Sequence, residues 1–159
     1  MPRSFRSVGT TEADAAAQQA SVTSTPVRVG IVTPLTPGNN DEGLLAMSYD
    51  VGLQMKNNLR DLLMTNWGER VALYDYGADL QPLVTEYEGG GKDSFDDRAM
   101  QRISSAVQRW MPYVDLENFE SVETHGLVQG IGNVVLTVTY SIPRARIPST
   151  RLQVTFAVT

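Results

Sequence analysis

Five carboxylates fall close together in the middle of the chain: Glu69, Asp75, Asp79, Glu86 and Glu88. Two carboxyl groups held about 5–10 Å apart across a cleft are the machinery of glycoside hydrolysis, one protonating the leaving oxygen while the other attacks or activates water. No spacing among these five singles out a pair, and acidic residues at turns and helix starts commonly serve capping and solubility instead. His125 is the single histidine and cysteine is absent. A nucleophilic triad would have to pass through that one imidazole, while disulfides and thiolate zinc sites are excluded. Beside Gly126, His125 reads as a turn residue. The triplet Gly89-Gly90-Gly91 lacks the GxxxxGK[ST] context of a phosphate cradle and reads as a hinge or loop. These residues point away from an enzyme, and no cofactor or metal is expected.

The elements that must position such residues are bounded by composition. A chain of 159 residues, 42% hydrophobic and 19% charged, suits one domain with a real core and not two. Its net charge of −5, with 18 acidic against 13 basic side chains and no lysine or arginine run, offers no footprint for nucleic acid phosphates. No apolar stretch approaches the roughly 20 residues of a membrane helix, and the first residues lack the apolar core of a signal peptide. The expectation is a soluble protein made in the cytoplasm, with neither a nucleic acid nor a membrane partner.

Residues 1–26, rich in Ala, Ser, Thr and Gln, cannot offset their ordering entropy alone and read as a flexible arm. Within it, 15–20 could turn helical against a partner. Residues 27–35 suggest a short strand that meets Pro34, Pro37 and Gly38 in a loop. From Ser48 the spacing becomes helical, with Val51, Met55, Leu59, Leu62 and Leu63 on one face and Lys56, Asn57, Arg60 and Asp61 on the other. That helix stops near Thr65-Asn66. Trp67-Gly68-Glu69-Arg70 then forms a turn in which Gly68 takes a left-handed backbone. After a second turn at Tyr76-Gly77, Asp79 is the N-cap candidate of a short helix carrying Leu80, Leu83, Val84 and Tyr87, with Pro82 in its first turn. A third helix starts at Ser94, where Asp97 completes a weak capping box, presents Phe95, Ala99, Ile103, Val107 and Trp110 on one face, and ends before Pro112.

Beyond Pro112 the pattern is that of strands. Val114 and Leu116 alternate, but Phe119 and Val122 fall out of phase, which suggests a bulge near Asn118. Residues 132–142 alternate cleanly, Val134, Leu136, Val138 and Tyr140 against Val135, Thr137, Thr139 and Ser141. After a basic loop at 143–148, Leu152, Val154, Phe156 and Val158 alternate with polar or small residues. The expected fold is α+β, three helices packed on a small, mainly antiparallel three-stranded C-terminal sheet, in a domain spanning 27–159.

The segment NLRDLLMTNWGERVALYDYGADLQPL, 58–83, resembles the contractile-tail baseplate wedge family that includes the gene product 25-like and protein W-like sheath initiators. A leucine-rich helix leads into Thr-Asn, then Gly68-Glu69-Arg70-Val71, then Tyr76-Gly77 opening an Asp-Leu helix. The likeness extends over roughly 28–159. It implies a structural protein of the virion tail baseplate, assembled in the bacterial host, whose partners are tail sheath subunits and other wedge proteins, with tail tube or hub proteins as further candidates.

The resemblance also implies two sites. The family's last strands offer a sheet edge to extended arms of the first sheath ring, which assigns that role here to the strand bearing Leu152, Val154, Phe156 and Val158; the other reading is an inner strand with no free edge. The family's Glu-Pro-Arg attachment to the wedge core helical bundle corresponds to Met111-Pro112-Tyr113. With the charged pair replaced, an apolar contact through Trp110, Met111, Pro112 and Tyr113 is the expectation, and the alternative is that Trp110 belongs to the core. Glu69 and Arg70 are assigned to bracing the turn, as an ion pair, or to a neighbouring wedge chain. The family has also carried a lysozyme-like label, so the alternative function is a peptidoglycan glycosidase.

Overall fold

Alternation of apolar and polar side chains favours strands with one buried face. The computed structural model of the chain, which describes residues 27–39, 43–86, 92–125 and 132–158, pairs three such strands. The arm at 1–26, Tyr87, Glu88 and the glycine triplet lie outside the described residues, as do the side chains of Ser94, His125 and Val158. Strands β3 (Asp115–His125), β4 (Gly132–Ile142) and β5 (Ile147–Val158) form an antiparallel sheet in the order β3-β4-β5. Val134, Leu136, Val138 and Tyr140 face inward with Leu152, Val154 and Phe156. The expected bulge is present, between Leu116 and Asn118. It resets β3 so that Ser121 faces in, donating its hydroxyl to Asp96, and Val122 faces out.

Three helices among the described residues cover the inner face: α1 (Val51–Met64), α2 (Leu80–Glu86) and α3 (Lys92–Trp110). Helix α1 starts at Val51 and not at Ser48, because the Asp50 carboxylate accepts from the amides of Gly52 at 2.9 Å and Leu53 at 3.3 Å and caps it. Ser48 instead ends β2 (Met47–Ser48), which pairs antiparallel with β1 (Gly30–Ile31). Two residues are too short to show a period, so β2 was not legible in the sequence. The core gathers Leu59, Leu62 and Leu63 from α1, Leu80, Leu83 and Val84 from α2, and Phe95, Ala99, Ile103 and Val107 from α3. Each large side chain of this kind stabilises the fold by about 1.5–3 kcal/mol.

The polar face expected on α1 needs correction. Val51 is 44% exposed, whereas Asn57 is only 7% exposed and Gln54 is buried with it. The β1–β2 pair lies over this side of the helix: a Cβ on Gly30 would come within 2.4 Å of the Gln54 side chain. Tertiary cover thus reaches a flank whose residue types mark it as solvated.

Candidate functional site

The loop 65–79 is the most elaborate surface feature, and two glycines make it possible. Gly68 has φ +86° and its amide donates to the Tyr74 carbonyl at 2.7 Å, as the expected left-handed turn requires. Gly77 has φ +113°, and a Cβ there would lie 2.1 Å from the Thr65 carbonyl oxygen. This close approach brings the loop back onto the end of α1, where Ala78 N–H donates to Leu62 O at 3.1 Å and Asp79 N–H to Thr65 O at 3.3 Å.

Side chains then lock the loop, in ways that correct several expectations. Glu69 does not pair with Arg70. Its two oxygens accept from Asn66, the amide at 3.0 Å and Nδ2 at 2.8 Å, while Arg70 lies over the Tyr76 ring at 3.8 Å. Asp79 does not cap α2 through its carboxylate, which accepts from the Trp67 amide and from Arg102 Nη1 at 2.8 Å. Asn66 supplies the bond instead, its Oδ1 accepting from Gln81 N–H at 3.3 Å. Asn66→Ala should therefore lower stability by about 1–2 kcal/mol by orphaning Gln81 N–H and freeing Glu69, measurable as a shift in urea midpoint.

The loop carries a ladder of cations and rings. Arg70 covers Tyr76, Tyr76 meets Trp110 with centroids 5.2 Å apart, and Arg109 lies 5.2 Å from the Trp110 centroid while pairing with Asp75. Burial pushes the Tyr76 phenol above its ordinary pKa against the opposing effect of Arg70. Next to this ladder Trp67 is 53% and Val71 98% exposed, with Tyr74 also largely in solvent. Exposed aromatic and apolar residues beside arginines have the composition of interface hot spots. Of the six expected contact residues, the fold joins Arg70 to Trp110 through Tyr76 and leaves Glu69 and Pro112 exposed and Tyr113 half-buried. Met111 is 4% exposed, so its side chain belongs to the core and is not presented to a partner. The turn geometry, not a residue pattern, leaves Trp67, Val71 and Tyr74 exposed here, and the sequence reading did not single them out.

Three of the five carboxylates considered for hydrolysis have structural duties here. Glu69 holds Asn66, Asp75 pairs with Arg109, and Asp79 binds Arg102 and the Trp67 amide.

The second surface is the β5 edge. Leu152, Val154 and Phe156 are buried against the core, and β5 is terminal in the sheet order, with no strand beyond it among the described residues. The Ala157 carbonyl accepts from Gln81 Nε2 at 3.3 Å, outside the ladder. Register with β4 is continuous from Val158 back to Thr150, and backbone groups along an antiparallel strand alternate between partner and open side. Those of Arg151, Gln153 and Thr155 therefore share the open side with Ala157. A groove of about 890 Å³ runs along this edge between β5 and the outer flank of α1, where Leu53 (44% exposed) and Met64 (45% exposed) overhang it.

No family model and no curated protein matches the sequence. Among solved structures, the chain is similar to one in the six-fold symmetrised baseplate of the anti-feeding prophage, with TM-score 0.57 and 17% identity over 73% of this chain and 85% of that one. It also aligns with a Geobacter sulfurreducens protein provisionally called a tail lysozyme, at TM-score 0.49 and 16% identity over 67% of this chain and 89% of that one. A chain in the baseplate complex of the type VI secretion system aligns at TM-score 0.43 and 18% identity, over 67% and 93%. At such identities the likeness is one of fold, and of these three alignments the one with the anti-feeding prophage baseplate chain has a TM-score above 0.5.

Proposed function

We propose that this chain is a structural baseplate component of a contractile injection machine, which starts sheath polymerisation by accepting a strand from a sheath subunit along the β5 edge. In this reading the surface built by Trp67, Arg70, Tyr76 and Trp110 fastens it to neighbouring wedge proteins, the core helical bundle among them. The observation that carries the proposal is the open side of β5. Its backbone groups at Arg151, Gln153 and Thr155 offer the donors and acceptors that a guest strand satisfies, while the inward side chains of the same strand anchor it to the core. The fold shared with a chain of the anti-feeding prophage baseplate supports the setting. Hydrolysis has no comparable support, since Glu69, Asp75 and Asp79 are engaged in closing their own loop.

Deleting β5 would not test this, because it would remove Leu152, Val154 and Phe156 from the core. Thr155→Pro is the sharper variant. It takes away an outward N–H and fills the edge with a ring, and proline is tolerated on edge strands where the N–H faces solvent. The expected result is a folded protein that incorporates into baseplates but reduces the fraction bearing sheaths by about tenfold or more, since lost ladder bonds and a blocked edge together exceed 1.4 kcal/mol. Val154→Pro, which breaks a bond to β4, should instead unfold the domain. Normal sheath numbers on folded Thr155→Pro particles, counted by electron microscopy, would sink the proposal.

A further inference from the structure

The groove beside β5 also carries charge that nothing among the described residues answers with an ion pair. Lys56 and Arg60, one turn apart on α1, line one wall, and Arg151 lines the other. No carboxylate among the described residues forms an ion pair with any of the three. The nearest acid in the groove, Glu120, sits two strands away on β3 and is held by Asn118 Nδ2 at 3.1 Å. In a chain of net charge −5, three unpaired cations around one groove form a local field of the opposite sign. Asn57 lines the same groove, is 93% buried by the complement of its 7% exposure, and its Nδ2 has no hydrogen-bond partner among the described residues. A buried donor without an acceptor is costly.

We infer that the strand received on the β5 edge comes from another chain and is acidic: an extended segment whose backbone pairs with Arg151, Gln153 and Thr155 and whose carboxylates meet Lys56, Arg60 and Arg151. This deepens the strand-accepting role proposed above and rests on it. The physical case has three parts that coincide in one place. The open edge supplies backbone pairing, Leu53 and Met64 supply apolar cover for small side chains on the guest, and the cations select its charge. Exposed ion pairs add little affinity singly, so three of them tune which strand binds more than whether one binds.

The test uses the full chain and a fluorescent peptide of alternating glutamate and valine, with glutamine and lysine counterparts, followed by anisotropy at low and high salt. The glutamate peptide is expected to bind about tenfold or more tightly than the glutamine peptide, to lose that margin at high salt, and to bind better than the lysine peptide. The triple variant Lys56→Glu, Arg60→Glu and Arg151→Glu should invert the order. Equal binding of glutamate and glutamine peptides overturns the charge proposal while leaving strand addition in place. Two glutamate peptides methylated at alternate backbone nitrogens, one in each phase, complete the test: strand addition requires one phase to bind markedly worse, and binding of both phases equal to that of the unmethylated peptide overturns strand addition and the proposal with it. If Glu12→Gln with Asp14→Gln raises the affinity of the glutamate peptide, the acidic occupant is this chain's own N-terminal segment and the assignment to another chain falls.

Discussion

Gly77→Ala is expected to lower the unfolding free energy by about 3–5 kcal/mol, a large share of the 5–15 kcal/mol typical of a domain. Two independent penalties coincide at this position. Its φ of +113° lies where only glycine is comfortable. A methyl there would also sit 2.1 Å from the Thr65 carbonyl oxygen, a backbone atom that cannot swing aside like the end of a side chain. Relief requires the loop to lift off α1, which breaks the bonds from Ala78 N–H to Leu62 O and from Asp79 N–H to Thr65 O. Gly68→Ala supplies the internal comparison. Its φ is similar at +86°, but the new methyl would meet only the edge of the Tyr74 ring, at 3.3 Å. A cost nearer about 1–2 kcal/mol is expected there. Urea unfolding of both variants checks the ranking, and equal costs would show that backbone conformation alone, not the approach to Thr65, sets the requirement at 77.

Leu62→Ala should cost about 2–5 kcal/mol, the range for a leucine deleted from a packed core. Leu62 is 0% exposed and packs in the cluster shared by the three helices and the sheet. It differs from its neighbours Leu59 and Leu63 in one respect: its carbonyl is the acceptor for Ala78 N–H, so the core and the returning loop meet at this residue. The cavity should therefore loosen the loop as well as the core. Hydrogen exchange at Ala78 is expected to speed up more in Leu62→Ala than in Leu59→Ala at matched loss of global stability. Equal exchange in the two variants would mean that the loop is held by its own side-chain bonds alone.

Where the pattern was local and long, the sequence was an accurate guide. The bounds of β4 follow from unbroken alternation, the bulge near Asn118 from a break in phase, and the turn at Gly68 from a glycine at the end of a leucine-rich helix. Readings that needed a distant partner failed. Asp79 has the residue type and position of an N-cap, yet its carboxylate turns to Arg102, 23 residues away, which offers a charged bond in place of a neutral one. Met111 looked available as an apolar contact because it corresponds to a residue of the attachment motif in the family the sequence resembles, but the chain turns there and drives it into the core. Asn57 looked solvated because nothing within one helix reveals what will pack over its flank.

The division has a physical origin. Side-chain period and backbone preference act over a few residues, so the sequence by itself determined the α+β class, the inward faces of α2, α3, β4 and β5, and the glycine turns. Which strand lies at an edge, which carbonyl turns outward and which cations are left without partners depend on the order in which elements stack and on what covers them. Tertiary structure alone decided that the β5 edge is open among the described residues, that Lys56, Arg60 and Arg151 converge beside it, and that the carboxylates of the loop are spent on holding the loop together.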